Sequence, residues 1–274
     1  MTFDAIRLQS WYGTEQGETV VRLAGGVMER WVSAIPANQS CGLGYAQPYL
    51  NHLSRYLGNC VGASPAEMGV SSWPLGKNNR IAQIRPNALP FPDKQFNRVI
   101  ITHLLEGTVE SQGVIREVWR ILEPGGRLLL MVPNRGGLWA RRDSTPFGWG
   151  QPFSPAQLRV VLQDSLFVVR QSCFALFKPP VKDRRWLGSA SSWEKAGNRW
   201  FAPLGGVILC EAEKLVYAKS PLRSNIEMVR QPAVEAIKMD SACTETSINQ
   251  ANDTADATES DLNLVTRNSQ QEKK

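Results

Sequence analysis

No stretch of this 274-residue sequence stays apolar for longer than a strand, far short of the roughly 18 residues that a membrane-crossing helix needs. The first nine residues contain Asp4 and Arg7 and no apolar core of the kind that a secretory signal carries. A soluble, cytoplasmic protein is expected. The five cysteines, Cys41, Cys60, Cys173, Cys210 and Cys243, are odd in number and show no Cys-x-x-Cys spacing. That pattern supports neither a disulfide framework nor a zinc site, so no metal is expected and most of them read as small buried hydrophobes.

Acidic residues are scarce where basic ones gather. The formal net charge is +6, but residues 220–274 hold six basic and nine acidic residues, leaving residues 1–219 at +9. Between Arg135 and Arg199 there are eleven basic and four acidic residues. Such a region either attracts anions, nucleic acid among them, or is a solvated face.

What is present is organised around residues 89–133. Leu89-Pro90-Phe91-Pro92-Asp93 leads into an apolar run at Val99–Ile101. A helical pattern follows from Val109 to Leu122, with Val114, Ile115, Val118, Ile121 and Leu122 on one face. Glu123-Pro124-Gly125-Gly126 ends it, Gly125 being suited to a left-handed cap, and a second apolar run spans Arg127–Val132. Unbroken apolar runs flanking a helix predict a βαβ unit whose strands are buried on both faces.

These residues resemble the class I S-adenosylmethionine (SAM) dependent methyltransferases, in particular small bacterial members with a Leu-Pro-Phe-Pro-Asp segment followed by a Pro-Gly-Gly helix stop. The resemblance covers roughly residues 12–218. It implies an α/β, Rossmann-like fold with a mostly parallel seven-stranded sheet and helices on both faces. It also implies SAM as cofactor.

Upstream, Cys41-Gly42-Leu43-Gly44-Tyr45-Ala46 reads as a glycine turn between a short strand at 38–41 and a helix at 48–57. A turn of this kind lets a ligand approach the backbone and the free N–H groups of a helix start. Gly42 and Gly44 match the family's first two glycines and Ala46 stands at the third. By the same resemblance Tyr45, Ala63, Ser64, Asn87, Ala88, Leu89 and His103 would complete the cofactor site.

Three acids usual in the family are missing. Ser40 stands two residues before the first glycine, and Cys60-Val61-Gly62-Ala63-Ser64 offers no carboxylate for ribose hydroxyls. Asn87 stands where an acid often meets the adenine amino group; Glu67, nearby, reads as part of a following helical turn. Each lost charge-assisted contact weakens binding by about 1.5–3 kcal/mol unless other groups replace it.

His103 and Glu106 fall at the end of the fourth strand, facing the crevice of a doubly wound sheet. His103 lines the pocket, acts as a base, or packs at the strand end with Glu106 capping the next turn. It is the single weak candidate for a catalytic group.

A Gly/Pro-rich loop follows the fifth strand. In the family it borders the substrate site, where Trp139 and Trp149 would form an aromatic wall and Arg141 and Arg142 would grip an anion, with Arg135 a further substrate-binding candidate. Alternatively, the tryptophans pin the loop to the sheet.

An earlier amphipathic helix is expected over 19–33, and a later one begins at Ser154, a good N-cap followed by Pro155. Strands at 167–169 and 207–210, with Val216-Tyr217 finishing the pattern, would complete seven. The insertion at 178–200, with a helix near 190–200, would cap the crevice or mediate self-association, so the substrate loop and cap span about 134–200.

Residues 1–219 thus form one methyltransferase-like domain. Beyond Ser220 the composition turns polar, too poor in apolar surface to offset the entropy of ordering, with a transient helix at 226–239 at most.

Three functions fit: a methyltransferase acting on an unknown, small-molecule acceptor; an inactive scaffold of the same fold that binds or regulates; or an RNA-directed methyltransferase using the basic region. The last is not favoured, as no base-stacking or Asn/Asp-Pro-Pro-Tyr segment is present. The dinucleotide oxidoreductases fit less well because the acid after the glycine turn is absent.

Overall fold

A computed structural model describes residues 4–180 and 202–216. The chain divides into the units Met1–Met239 and Asp240–Lys274, of which the second lies outside the described residues. The expected helices at 190–200 and 226–239, and Tyr217, also lie outside them.

The elements run α1 (Ala5–Tyr12), α2 (Glu15–Ala34), β1 (Gln39–Gly44), α3 (Gln47–His52), β2 (Asn59–Pro65), β3 (Ile81–Ile84), β4 (Phe96–Thr102), α4 (Ser111–Ile121), β5 (Leu122–Pro133), α5 (Pro155–Asp164), β6 (Phe167–Ala175) and β7 (Val207–Lys214). One seven-stranded sheet has the order β3-β2-β1-β4-β5-β7-β6. Strands β1 to β5 pair in parallel, and β7 is inserted antiparallel to both β5 and β6. This is the expected α/β architecture.

The central βαβ unit follows the sequence pattern closely. Val99, Ile100, Ile101, Leu128, Leu129 and Leu130 have no exposed surface, as strands covered on both faces require. Val114, Ile115, Val118 and Ile121 of α4 are buried in the same core cluster. Gly125 takes a left-handed φ of +74° but does not cap α4, which stops at Ile121 with an extended Leu122, so that Gly125 lies within β5.

The α5 start is a reciprocal cap. The Gln157 N–H donates to Ser154 Oγ at 3.2 Å, and the Ser154 N–H donates to Gln157 Oε1 at 3.1 Å.

Other boundaries differ from the sequence reading. β1 extends three residues further, through both glycines, because its ladders with β2 and β4 run to Leu43 and Gly44. Its polar start is no obstacle: Ser40 is buried with its hydroxyl donating to the Leu57 carbonyl at 2.8 Å. The helix expected over 48–57 ends at His52 and gives way to a short 3-10 turn at Ser54–Tyr56. β6 and β7 are longer than their apolar runs, since each supplies the other's hydrogen bonds from Phe167↔Lys214 to Ala175↔Val207. Val216 lies past β7, half exposed and outside any strand.

Helix α1 was not anticipated. Asp4 caps it, accepting the Ile6 N–H at 2.8 Å, and Ala5, Leu8 and Tyr12 form its buried stripe. Its first N–H donates to the Met68 carbonyl at 2.8 Å, tying α1 to the turn after β2. α2 then starts at Glu15, earlier than its apolar pattern suggests, behind a Thr14 cap.

Candidate functional site

The sheet order reverses between β1 and β4, and the crevice outside the carboxyl ends of such strands is where doubly wound sheets bind ligands. The two strand ends are stitched together. The Tyr45 N–H donates to the Thr102 carbonyl at 2.9 Å, and the Thr102 hydroxyl donates to the Tyr45 carbonyl at 2.7 Å.

Gly44 makes this closeness possible. Its φ is +79°, and a Cβ there would lie 2.3 Å from the Thr102 carbonyl oxygen. A Cβ at Gly42 would meet the Leu50 side chain at 2.7 Å. Gly42, Gly44, Tyr45 and Ala46 are all buried, and the space beside both glycines is filled by the chain's own strands and helix.

Immediately after β4, His103 adopts a φ of +53°, uncommon for a residue with a side chain. Its Nε2 lies 2.7 Å from the Tyr12 hydroxyl and its Nδ1 lies 3.2 Å from Glu106 Oε1. The His103 and Glu106 side chains are 0% and 1% exposed. The Tyr12 ring stacks on Tyr45 at 5.7 Å and meets Tyr49 edge-on, while Phe147 packs against His103 at 5.1 Å. Burial pushes the Tyr12 phenol well above its usual range and the Tyr45 phenol up to about 12, so these hydroxyls keep their protons.

A cavity of about 600 Å³ opens beside His103 at the carboxyl ends of β2, β3 and β4. Among the described residues its polar lining comes from Glu67, Asn87, His103, Glu106, Thr108, Glu110 and Gln151, with no lysine or arginine.

Glu67 was misplaced by the sequence reading. It sits in the turn directly after β2, not in a helix, because Met68 N–H bonds back to Pro65 and closes that turn.

Of the expected cofactor residues, Asn87 and His103 line this cavity, and the others do not. Ala63 lies in the core, and the buried Ser64 hydroxyl donates to the Gly69 carbonyl at 2.8 Å. Ala88 is exposed in a tight turn, and the backbone of Leu89 is held by helix α4. Sequence reasoning missed Tyr12, although Asp4 followed by Ala5, Leu8 and Tyr12 at helical spacing was a usable signal.

The loop residues divide. Trp139 and Trp149 are buried, with indole N–H groups donating to the carbonyls of Lys178 and Asp143 at 2.7 and 2.8 Å. These contacts pin the loop. Arg141 is exposed, whereas Arg135 borders a second cavity of about 420 Å³ with Leu105, Phe153, Val160 and Val161. The two cavities share Thr108, Val109 and Gln151.

Among the described residues no group of three or more His, Cys, Asp or Glu side chains is placed to hold a metal ion. No helix among them is long and apolar enough to cross a membrane.

Residues 38–130, from β1 to β5, match the sequence profile of a methyltransferase-domain family. Over that stretch the chain is similar to methyltransferase domains. It is 27% identical over 129 residues to the ubiquinone/menaquinone biosynthesis C-methyltransferase of Citrobacter koseri, covering 43% of this chain and 44% of that protein. The same values hold for the Escherichia fergusonii protein of that name. The chain thus spans less than half the length of the curated relatives it matches.

Among solved structures, a SAM-dependent methyltransferase of Archaeoglobus fulgidus aligns with a TM-score of 0.53 at 12% identity, over 76% of this chain and 98% of that one. One from Aquifex aeolicus gives 0.53 at 14% identity, over 78% and 100%. At these identities they establish the fold alone.

Proposed function

We propose that the chain is a SAM-dependent methyltransferase acting on a small molecule, with the nucleoside part of SAM in the 600 Å³ cavity. The carrying observation is the donor set at that place. A cavity of this size suits a small ligand, and the C-terminal ends of β2 and β3 deliver to it a carboxylate, Glu67, and an amide, Asn87. Glu67 supplies in space the acid that the sequence lacks at the end of β2, so it is suited to ribose hydroxyls, and the Asn87 amide to the adenine edge.

The residues therefore fit the cofactor, which when bound supplies an electrophilic methyl group on a sulfonium sulfur. The chain's own part is to hold and orient, which suffices for much of the rate of a methyl transfer. Tyr12, Phe147 and the buried loop tryptophans exclude water from the His103 side of the crevice. The neighbouring cavity, apolar with Arg135 at its rim, is placed to receive the acceptor across the shared wall of Thr108, Val109 and Gln151.

Calorimetric titration of the full chain with SAM and S-adenosylhomocysteine tests this. Micromolar binding, weakened at least tenfold in Glu67→Ala, supports the reading. Absence of binding by folded wild-type protein overturns it in favour of a binding scaffold, a reading supported by the filled space beside Gly42 and Gly44.

A further inference from the structure

We propose that Glu106 is the counter-charge of this site, a buried carboxylate held by His103 and Tyr12 to select the positively charged sulfonium of SAM over its neutral thioether product. The inference rests on the function proposed above and names a discriminating group within it.

Glu106 lines the cavity yet is 2% exposed. A buried carboxylate is costly unless hydrogen bonds or an opposite charge compensate it. Neither oxygen of Glu106 has a hydrogen-bond partner among the described residues. His103 Nδ1 lies 3.2 Å from Glu106 Oε1.

A carboxylate can accept about four hydrogen bonds, so Glu106 keeps capacity for a ligand. Among the described residues the other acidic or basic side chains lining the cavity, Glu67 and Glu110, are both acids.

The rest of the constellation packs around Glu106: Tyr12 Oη lies 3.4 Å from Tyr49 Oη and 2.7 Å from His103 Nε2, and His103 Nδ1 faces Glu106. The left-handed backbone of His103 holds the ring in that place, an outlier of the kind that marks functional positions. His103 and Tyr12 are positioning residues in this scheme.

The chemistry gives such a carboxylate a purpose. Methyl transfer forms a bond from the acceptor to the methyl carbon and breaks the carbon–sulfur bond, whose electron pair returns to sulfur. The sulfonium charge is lost in that step. A site that holds the charge electrostatically binds SAM and lets its product go.

The test is calorimetry on the full-length wild type and on Glu106→Gln, with Asp164→Asn as a control at an exposed, solvent-screened acid outside both cavities. Three probes are used: SAM, S-adenosylhomocysteine and sinefungin, which carries an amine in place of the sulfonium. In the wild type the two cationic probes are expected to bind about tenfold more tightly than the thioether. In Glu106→Gln that preference should fall to about one with thioether affinity kept within about twofold, and Asp164→Asn should leave it unchanged.

Equal wild-type affinity for all three overturns the inference whether or not the variant folds. So does an undiminished preference in Glu106→Gln, or a loss shared equally by all three probes. Wild-type protein that binds none of them overturns the cofactor reading itself, a separate outcome.

Discussion

Arg120 grips Glu117 one helical turn away, with Nη2 at 2.9 Å and Nε at 3.0 Å from its two carboxylate oxygens, and between them the pair holds Leu89. The Leu89 N–H donates to Glu117 at 2.8 Å and the Leu89 carbonyl accepts from Arg120 at 2.9 Å. Arg120 also donates to the Phe91 carbonyl at 2.8 Å and to Asp93 at 2.7 Å. The Leu-Pro-Phe-Pro-Asp segment is thus a loop clamped by α4, and its conspicuous sequence serves the fold.

Removing the clamp should be costly. Arg120→Ala strands two carbonyls and two carboxylates at once, and a destabilisation of about 2–4 kcal/mol is expected. Urea unfolding of the variant against wild type measures it; Arg120→Lys should recover only part, since an ammonium cannot reproduce the fork.

The same pair predicts an acid dependence. The Arg120 hydrogen bond holds the Glu117 carboxyl below its usual range. A folded-state value below the unfolded one, about 4.3, contributes stability above that unfolded value, lost as the pH falls through the folded value. Glu117→Gln should therefore be less stable than wild type at pH 6, with the gap closing below pH about 4; melting temperatures across that range would show it.

Two glycines should respond in opposite directions to alanine. Gly44→Ala meets both a positive φ and the Thr102 carbonyl, and should cost about 3 kcal/mol or more. Gly26, inside α2 with nothing within 4 Å of a would-be Cβ, should gain about 0.5–1 kcal/mol through helix propensity. Equilibrium unfolding of the two variants distinguishes them.

Thiol chemistry offers a further check. Cys41, Cys60, Cys173 and Cys210 are buried, and burial pushes the Cys60 and Cys210 thiols up to about 12. At pH 8 these four should react with a thiol reagent much more slowly in the native state than in denaturant, where all five cysteines of the chain titrate.

What the sequence revealed and what it hid differ in range. The β4-α4-β5 unit was legible because Val114 to Ile121 and Leu128 to Val132 carry their own periodicity, and Gly125 announces its own conformation. The α5 cap was legible for the same reason, Ser154 and Gln157 being three residues apart. Glu106 and Tyr12 acquire meaning only through His103, and Tyr12 is 91 residues from it in sequence; no local pattern records that contact. Glu67 was hidden by a turn whose closure depends on Met68, and the purpose of Asp93 by a partner in the next helix.

Helix α1 has a consequence for how the molecule comes together. Trp11 and Tyr12 rest on Tyr45, His103, Trp139 and Phe147, residues supplied by three separate stretches of chain. A surface of that make-up exists only after the strands carrying it have met. Helix α1 therefore has no complete docking surface until those stretches are in place.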